Sequence, residues 1–599
     1  MAAPAPNTPN DARATGGSFL LQPVGTFRQN TPEDFSEDQR AFYKTALQFS
    51  REQVLPNAER IESKDAAYMR ELLGRAGETG LLMLDVPEAH GGLGADKTSS
   101  MLVAEASSLL ASFGVTLMAH TGIGSLPIAW FGSPEQKAKY LPELATGQKI
   151  AAYALTEQGS GSDALGAKTR AVRAEDGSWR LTGSKLFITN SAFGDVFTVF
   201  AKVDGEKFSA FIVERDTPGF SIGPEERKMG IRGSSTCPLY LEDAIVPASA
   251  LLGEIGRGHK IAFNILNLGR MKLAPYSLGS MKEQLGDALR FAAERKQFGV
   301  AILTFPLIRE KLARMAAWTY AIESMVYRTS GLVDARLAAE GAGADDGERI
   351  MAAFEEYAIE ASIMKVAASE ALDMLVDEAV QIHGGAGFIE DYPVERAYRD
   401  SRINRLFEGT NEINRMLITG MLLKRAAKGD LPLEAALAEA EAAVAAGKGP
   451  KARVQDGLSR EEECAEALKQ LALVSLSAGH RGFGAALEKQ QDVLATISDL
   501  VMDAYAVESA VVRTRQAAKD GALDEVRVAL VKSLATEVMS RGLERARKAL
   551  CASLEGEALQ SALARLAPLL ALPSYRPQTL RETIVTALET RNGELFPYV

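Results

Sequence analysis

The sequence predicts a mainly helical protein with a β domain set in its middle. Three observations carry this reading. Apolar residues recur at three- and four-residue spacing from about residue 36 to 150 and again from 259 onward. Between them, residues 151–265 hold short runs rich in β-branched and aromatic side chains, separated by turns. After about residue 428 the composition turns Ala/Glu-rich and then Gly/Lys/Pro-rich before a last helical stretch.

The elements follow in order. Residues 1–35, opening MAAPAPNTPNDARATGG, are expected to be disordered or extended. They lack the basic start and apolar run of a secretory signal and the Arg-rich pattern of a transit peptide. In the helical unit 36–150, EDQRAFYKTALQFSREQVLP ends at Pro56, Ser63 is a candidate N-cap for a helix reaching Gly80, and VPEAHGGLG breaks the pattern before Lys97. Ser133 and Pro134 open another helix there. The β unit 151–265 contains SWRLTGSKLFITNS, VFTVFAKV, FSAFIVERD and CPLYLEDAIVP. In the unit 266–428, Leu312, Met315, Thr319, Ile322 and Val326 form one helical stripe. A second helix there runs through IEASIMKVAASEALDMLVDEAVQIH to Gly384 and Gly385. Residues 429–459 read as a linker helix plus hinge, and 460–599 as a further helical unit. No fixed-period repeat is present.

Bulk properties narrow the function. A 599-residue chain has room for two to four structural units. A net charge of −11 argues against general nucleic-acid binding, while leaving room for a local basic pocket. Three separated cysteines and five histidines show no disulfide framework or metal-ligand spacing, so no metal is expected. No run of 18 apolar residues exists, and a cytoplasmic protein is expected.

The chemistry concentrates in QIHGGAGFIEDYPVERAYRDSRINRLFEGTNE, Gln381 to Glu412. Glu408 stands between Leu406–Phe407 and Gly409–Thr410. A carboxylate so flanked can sit in a dry pocket with a raised pKa, as a base for a carbon-bound proton requires. A solvated or capping Glu would read the same way. YALTEQGSGSD, Tyr153 to Asp163, lets backbone approach a ligand at Gly159 and Gly161, but it is not the G-x-G-x-x-G fingerprint and equally suits a β-turn. LFITN reads as a core strand, Arg270 in NLGR as a surface charge or a salt-bridge partner, and Arg295 in ERKQFG as a solvated helix-end charge.

QIHGGAGF, YPVERAYRD and LFEGTNEI, in this order and spacing, resemble the C-terminal signature of the acyl-CoA dehydrogenases. FGVTLMAH, GSKLFITN, DVFTVFAK, ERKMGIRGS, FNILNLGR and LIREKLARMAAWTYAIESMVY resemble in particular the very-long-chain type, which has a C-terminal helical extension. The family core would cover residues 36–428. The resemblance implies an N-terminal α domain, a middle β-barrel-like domain and a four-helix bundle, followed by an extra helical domain. It implies FAD, α,β-dehydrogenation of acyl-CoA to trans-2-enoyl-CoA in fatty acid β-oxidation, and electron-transfer flavoprotein as acceptor.

The resemblance makes Glu408 the catalytic base. It assigns FAD to Tyr153, Leu155, Thr156, Gly161, Ser162, Phe187, Thr189, Arg295, Gln297, Gln381, Ile382, Gly384, Gly385, Thr410 and Glu412. Arg295 would reach the flavin pyrophosphate of a neighbouring subunit. The substrate falls to Ser162, Asn267, Arg270, Glu408 and Gly409. Gln158 replaces the family's usual Pro after the Thr–Glu pair, which removes a stiff φ but no hydrogen-bonding group. VTLMAHTGIG, Val115 to Gly124, would line the acyl cavity; Ala119, Gly122 and Gly124 suggest depth, and Met118 is bulkier than the small residue of the very-long-chain type. Long-chain substrates and a homodimer are expected, and membrane contact by residues 460–599 is not favoured. An oxygen-using acyl-CoA oxidase and a non-catalytic assembly scaffold are the alternatives.

Overall fold

The computed structural model describes residues 14–570 and 575–598. The N-terminal helices include Glu37–Phe49, Ala66–Glu78, Lys97–Ala106, Ala111–Met118 and Pro134–Ala145. Two begin with reciprocal caps: Ser36 Oγ accepts from Gln39 N at 3.1 Å, and Ser133 Oγ from Gln136 N at 3.2 Å, each glutamine bonding back to the serine N–H. The cap expected at Ser63 falls two residues later. Lys64 takes φ 67°, and the Asp65 carboxylate accepts from Tyr68 N at 2.9 Å, so the helix opens at Ala66 while Ser63 closes the preceding turn.

The stretch 1–35 also differs from expectation where it is described; its first 13 residues lie outside the described residues. From Ala14 the chain packs onto the helices, burying Phe19, Leu20 and Val24. Gly17 N donates to Glu360 Oε1 at 2.7 Å and Val24 N to Glu466 Oε1 at 2.5 Å. These apolar side chains, spaced too irregularly for a periodic signal, find a surface only in the folded molecule.

The middle unit is an eight-stranded sheet. Its spatial order is Phe220–Ile222, Thr236–Val246, Trp179–Thr189, Arg170–Arg173, Val196–Val203, Lys207–Glu214 and Leu251–Leu252, with Ala151–Ala154 pairing parallel to Val196–Val203. Alternate residues split the sheet between two cores: Leu181, Phe197, Val199, Phe211 and Leu239 pack among themselves, and Phe200, Phe208 and Ile212 against the helices. The strand Trp179–Thr189 breaks register against Thr236–Val246 between Lys185 and Ile188, an irregularity that matters for the site.

Gly258–Glu294, Pro306–Glu340, Ala358–His383 and Asn411–Ala427 form the bundle. The stripe Leu312, Met315, Thr319, Ile322 and Val326 is buried as its spacing predicts. Beyond it, Ser459–Phe483, Gln491–Gln516 and Glu525–Ser553 pack as a further helical layer that rests on the bundle. The end of the chain returns to the core: the Tyr598 hydroxyl donates to Glu323 Oε1 at 2.5 Å and accepts from Lys282 Nζ at 2.6 Å. Among the described residues no helix is long and apolar enough to cross a membrane.

Candidate active site

The site is built where the turn Leu406–Thr410 lies on the helix Gly258–Glu294. Glu408 (φ 56°) and Gly409 (φ 77°) are both left-handed, and for the glutamate this conformation costs about 1 kcal/mol. Side chains from three helices hold it. Arg270 Nε donates to Glu408 O at 3.3 Å, with Arg270 Nη1 fixed on Asn267 Oδ1 at 2.7 Å. Asn414 Nδ2 donates to Gly409 O at 2.9 Å and Thr410 O at 3.0 Å. Lys365 Nζ donates to Gly409 O and to Asn411 Oδ1, both at 2.7 Å. Thr410 Oγ1 accepts from Ile413 N at 3.3 Å and so starts the next helix.

This turn places the Glu408 carboxyl over the backbone of Gly269. A Cβ at 269 would stand 2.3 Å from Oε2 and 2.6 Å from Cδ, so the glycine makes the space the carboxyl occupies. Oε2 is buried without a hydrogen-bond partner. Burial pushes the carboxyl up to about 7, against the opposing pull of Arg270 and then Lys365. The Tyr153 hydroxyl is also buried and unpartnered, and burial, then the charge of Glu408, pushes it up. These are two orphaned buried polar atoms, close enough for the charge of one to act on the other, and a ligand that satisfied them would complete the site.

If Glu408 acts as a base, this pKa sets a pH dependence. Only ionised Glu408 accepts a proton, so kcat/KM should rise with pH through about 7 and level off above it. The sign for stability is opposite: with its folded pKa raised above the ordinary 4.5, neutral Glu408 favours the folded state at low pH, and this contribution is lost between about 4.5 and 7. A flat kcat/KM profile between pH 5.5 and 8.5 would remove Glu408 from the role of base.

The sheet supplies a second surface. At the register break, Phe187 takes φ 59° and turns outward, 61% exposed, where the sequence predicts an ordinary core strand. Thr189 beside it is half-buried. In the loop after Ala151–Ala154, the Glu157 carboxylate accepts from Lys168 N at 2.6 Å, Thr169 N at 3.1 Å and Lys185 Nζ at 2.7 Å, which fixes the loop from inside. Thr156 is left half-buried, Gly161 and Ser162 are exposed, and nothing lies within 4 Å of a Cβ built at Gly159 or Gly161. Leu155 and Tyr153 are buried beneath.

The remaining expected residues stand elsewhere. Arg295 and Gln297 are exposed where the helix Gly258–Glu294 ends, beside Phe298 at 93% exposure. Gln381, Gly384 and Gly385 are exposed at the end of Ala358–His383, while the Ile382 side chain is buried and offers only backbone to a ligand. Phe291 stacks on His383 at 4.2 Å and joins these two groups at one end of the bundle. From Lys365 to Gln381 is sixteen residues of one helix, about 24 Å at 1.5 Å per residue, so this end is remote from Glu408. Glu412 is exposed in the first turn of its helix. Thus Tyr153, Asn267, Arg270, Glu408, Gly409 and Thr410 converge, and Arg295, Gln297 and Gln381–Gly385 do not join them within one chain.

Two residues that shape this candidate site escaped the sequence reading. Gly269 is a glycine inside a helical pattern, which signals a close approach. Lys365 is a cation in an apolar helix, which signals a buried partner.

The flavin implied by the resemblance fits these residues: an outward aromatic face at Phe187, open backbone at Gly159 and Gly161, and unpartnered polar atoms at Tyr153 and Glu408. The comparisons with known proteins agree. Models described as acyl-CoA dehydrogenase match the chain as the N-terminal domain over residues 36–148, the middle domain over 152–244, and C-terminal domains over 256–423 and 467–567. A probable acyl-CoA dehydrogenase of Bacillus subtilis (strain 168) is 49% identical over 557 residues, 92% of this chain and 93% of that protein. The mitochondrial very long-chain specific acyl-CoA dehydrogenase of Bos taurus is 40% identical over 415 residues, 66% of this chain and 61% of that protein. The crystal structure of an acyl-CoA dehydrogenase complexed with FAD from Bacillus anthracis is 46% identical, with a TM-score of 0.93 over 97% of this chain and 99% of that one.

Proposed function

The chain belongs to the acyl-CoA dehydrogenase family, oxidoreductases acting on CH–CH donors, and we propose that it converts long-chain acyl-CoA to trans-2-enoyl-CoA with bound FAD. The observation that carries the reading is the buried, unpartnered Glu408 carboxyl poised near neutral pH above Gly269.

The proposed chemistry follows from the turn. No acceptor within the described chain takes the Glu408 N–H, so it is free to polarise the thioester carbonyl and stabilise the developing enolate. That acidifies the α-carbon, and Glu408 takes the α-proton. FAD, when bound, supplies the acceptor for the β-hydride, so two hydrogens leave and one C=C bond forms. Phe187, Thr189, Thr156 and the Gly161–Ser162 backbone would hold its reactive end, and Asn267, Arg270 and Gly409 the wall around the thioester.

The distant groups suit a second copy. Phe298 and Phe388, 93% and 86% exposed, flank the Arg295–Gln297 and Gln381–Gly385 surfaces, and apolar side chains so exposed mark an interface. We take these residues to complete the cofactor site of the neighbouring subunit in a homodimer. A cytoplasmic role in β-oxidation, with electrons passed to electron-transfer flavoprotein, completes the proposal.

The acyl end would lie against Leu81, Leu84, Val103, Leu117 and Met118, beside a cavity of only about 10 Å³ that is lined also by the Asp85–Lys272 ion pair. A long chain therefore requires Met118, a flexible and half-buried side chain, to swing aside. The test is anaerobic addition of octanoyl-, palmitoyl- and longer acyl-CoAs to the purified yellow protein. Bleaching of the flavin band, fastest for palmitoyl or longer chains, is expected. Bound flavin that no acyl-CoA bleaches would overturn the reading, and fastest bleaching by octanoyl-CoA would correct the chain length. Rapid oxygen uptake with substrate would point to an oxidase.

A further inference from the structure

Lys365 lies midway between Met364 and Val366 on the helix Ala358–His383 and is fully buried. Among the described residues no carboxylate forms a direct ion pair with it; its ammonium instead donates to Gly409 O, the carbonyl next after Glu408, and to Asn411 Oδ1. A buried ammonium held only by neutral oxygens is costly, and such groups persist where their charge is used. We propose that Lys365 is a positioning residue for the dehydrogenation: it pins the left-handed Glu408–Gly409 turn and supplies a positive charge that keeps Glu408 ionisable at neutral pH. The proposal rests on Glu408 being the base.

The charged groups that act on Lys365 come from the turn, from two neighbouring helices and from its own. Glu408 stands on the turn, Arg270 on the helix Gly258–Glu294, Glu370 five residues along its own helix and Glu412 at the start of Asn411–Ala427. Glu370 is already committed: Arg415 Nη1 and Nη2 donate to its two oxygens at 2.8 and 2.9 Å, and Asn411 Nδ2 donates to Oε1 at 3.0 Å. Arg415 Nε in turn donates to Asp499 Oδ1, at 2.8 Å, on the helix Gln491–Gln516. Arg270 is the other cation acting on Glu408, so the carboxylate faces two positive groups and no second anion of comparable closeness. Burial pushes Lys365 down to about 7 and Glu408 up to about 7, and the charge of each partly offsets the shift of the other.

Removing the charge should raise the Glu408 midpoint by about 1 unit, the size of effect expected of a nearby opposite charge. Lys365→Met is therefore expected to show a kcat/KM profile shifted to higher pH and kcat lowered about 10- to 100-fold at pH 7, with KM changed less. Lys365→Arg, which keeps the charge but fits the two acceptors poorly, should retain a midpoint near wild type while losing part of kcat. The same midpoint is read without substrate by infrared titration of the protonated carboxyl band, assigned by its absence in Glu408→Gln. Lys365→Gln replaces the Met variant if that protein does not fold.

An unmoved infrared midpoint and an unmoved kcat/KM profile in folded Lys365→Met or Lys365→Gln would overturn the proposal. A wild type that bleaches with no acyl-CoA, yet whose carboxyl midpoint still moves with Lys365, would instead overturn the dehydrogenase reading and leave the coupling standing.

Discussion

Glu408→Gln should bind flavin as wild type does and bleach at least about 10³-fold more slowly with any acyl-CoA, because a general base of this kind contributes 10²–10⁴-fold and no other carboxylate shares its position. Glutamine is nearly isosteric, so it keeps the fit above Gly269 and the backbone bonds from Arg270 and Asn414, which go to carbonyl oxygens rather than to the side chain. What it loses is the lone pair that takes the α-proton. The substitution also removes a group that must be ionised in a dry site, so the variant should melt above wild type at pH 8 and gain less at pH 5, where wild-type Glu408 is neutral. Stopped-flow reduction and thermal scans at the two pH values read both effects. Undiminished bleaching would place the base elsewhere.

Gly269→Ala should separate stability from activity. Alanine is the better helix former by about 1 kcal/mol at a helix-interior position. Position 269 is interior to Gly258–Glu294, so folding alone would favour the change. The added Cβ, however, would stand 2.3 Å from Glu408 Oε2, and the carboxyl must move by about 1 Å to escape it. A displacement of that size from a reactive geometry costs about 10²-fold in rate. We expect full flavin content, an unchanged or higher melting temperature and a kcat about 100-fold lower. Gly286→Ala on the same helix is the control: its Cβ would meet only the flexible end of Arg290 at 3.2 Å, and turnover should hold. Equal turnover in both variants would mean that the carboxyl has room the structure does not show.

The layout of elements was legible because it rests on local pattern. The stripe from Leu312 to Val326, the reciprocal caps at Ser36 and Ser133 and the stop at Gly384 each follow from spacing or cap chemistry within a few residues. Where the reading failed, a distant surface decided. Phe19 and Leu20 pack on helices more than three hundred residues away, and the Lys64 turn moved the cap from Ser63 to Asp65. Phe187 reads as a core strand residue until the register break against Thr236–Val246 turns it out.

The candidate site divides in the same way. The sequence by itself determined which residue types are available and in what order: a carboxylate between an apolar pair and a glycine, a glycine-rich loop after a strand, an arginine in a helix. Only the tertiary structure decided the state of Glu408. Its pKa depends on how completely Gly269, Tyr153 and their neighbours exclude water, and on how near Arg270 and Lys365 come, with Lys365 43 residues away in sequence. Desolvation and Coulomb energies depend on distances in space, and those are set by packing between helices rather than by the order of residues along the chain.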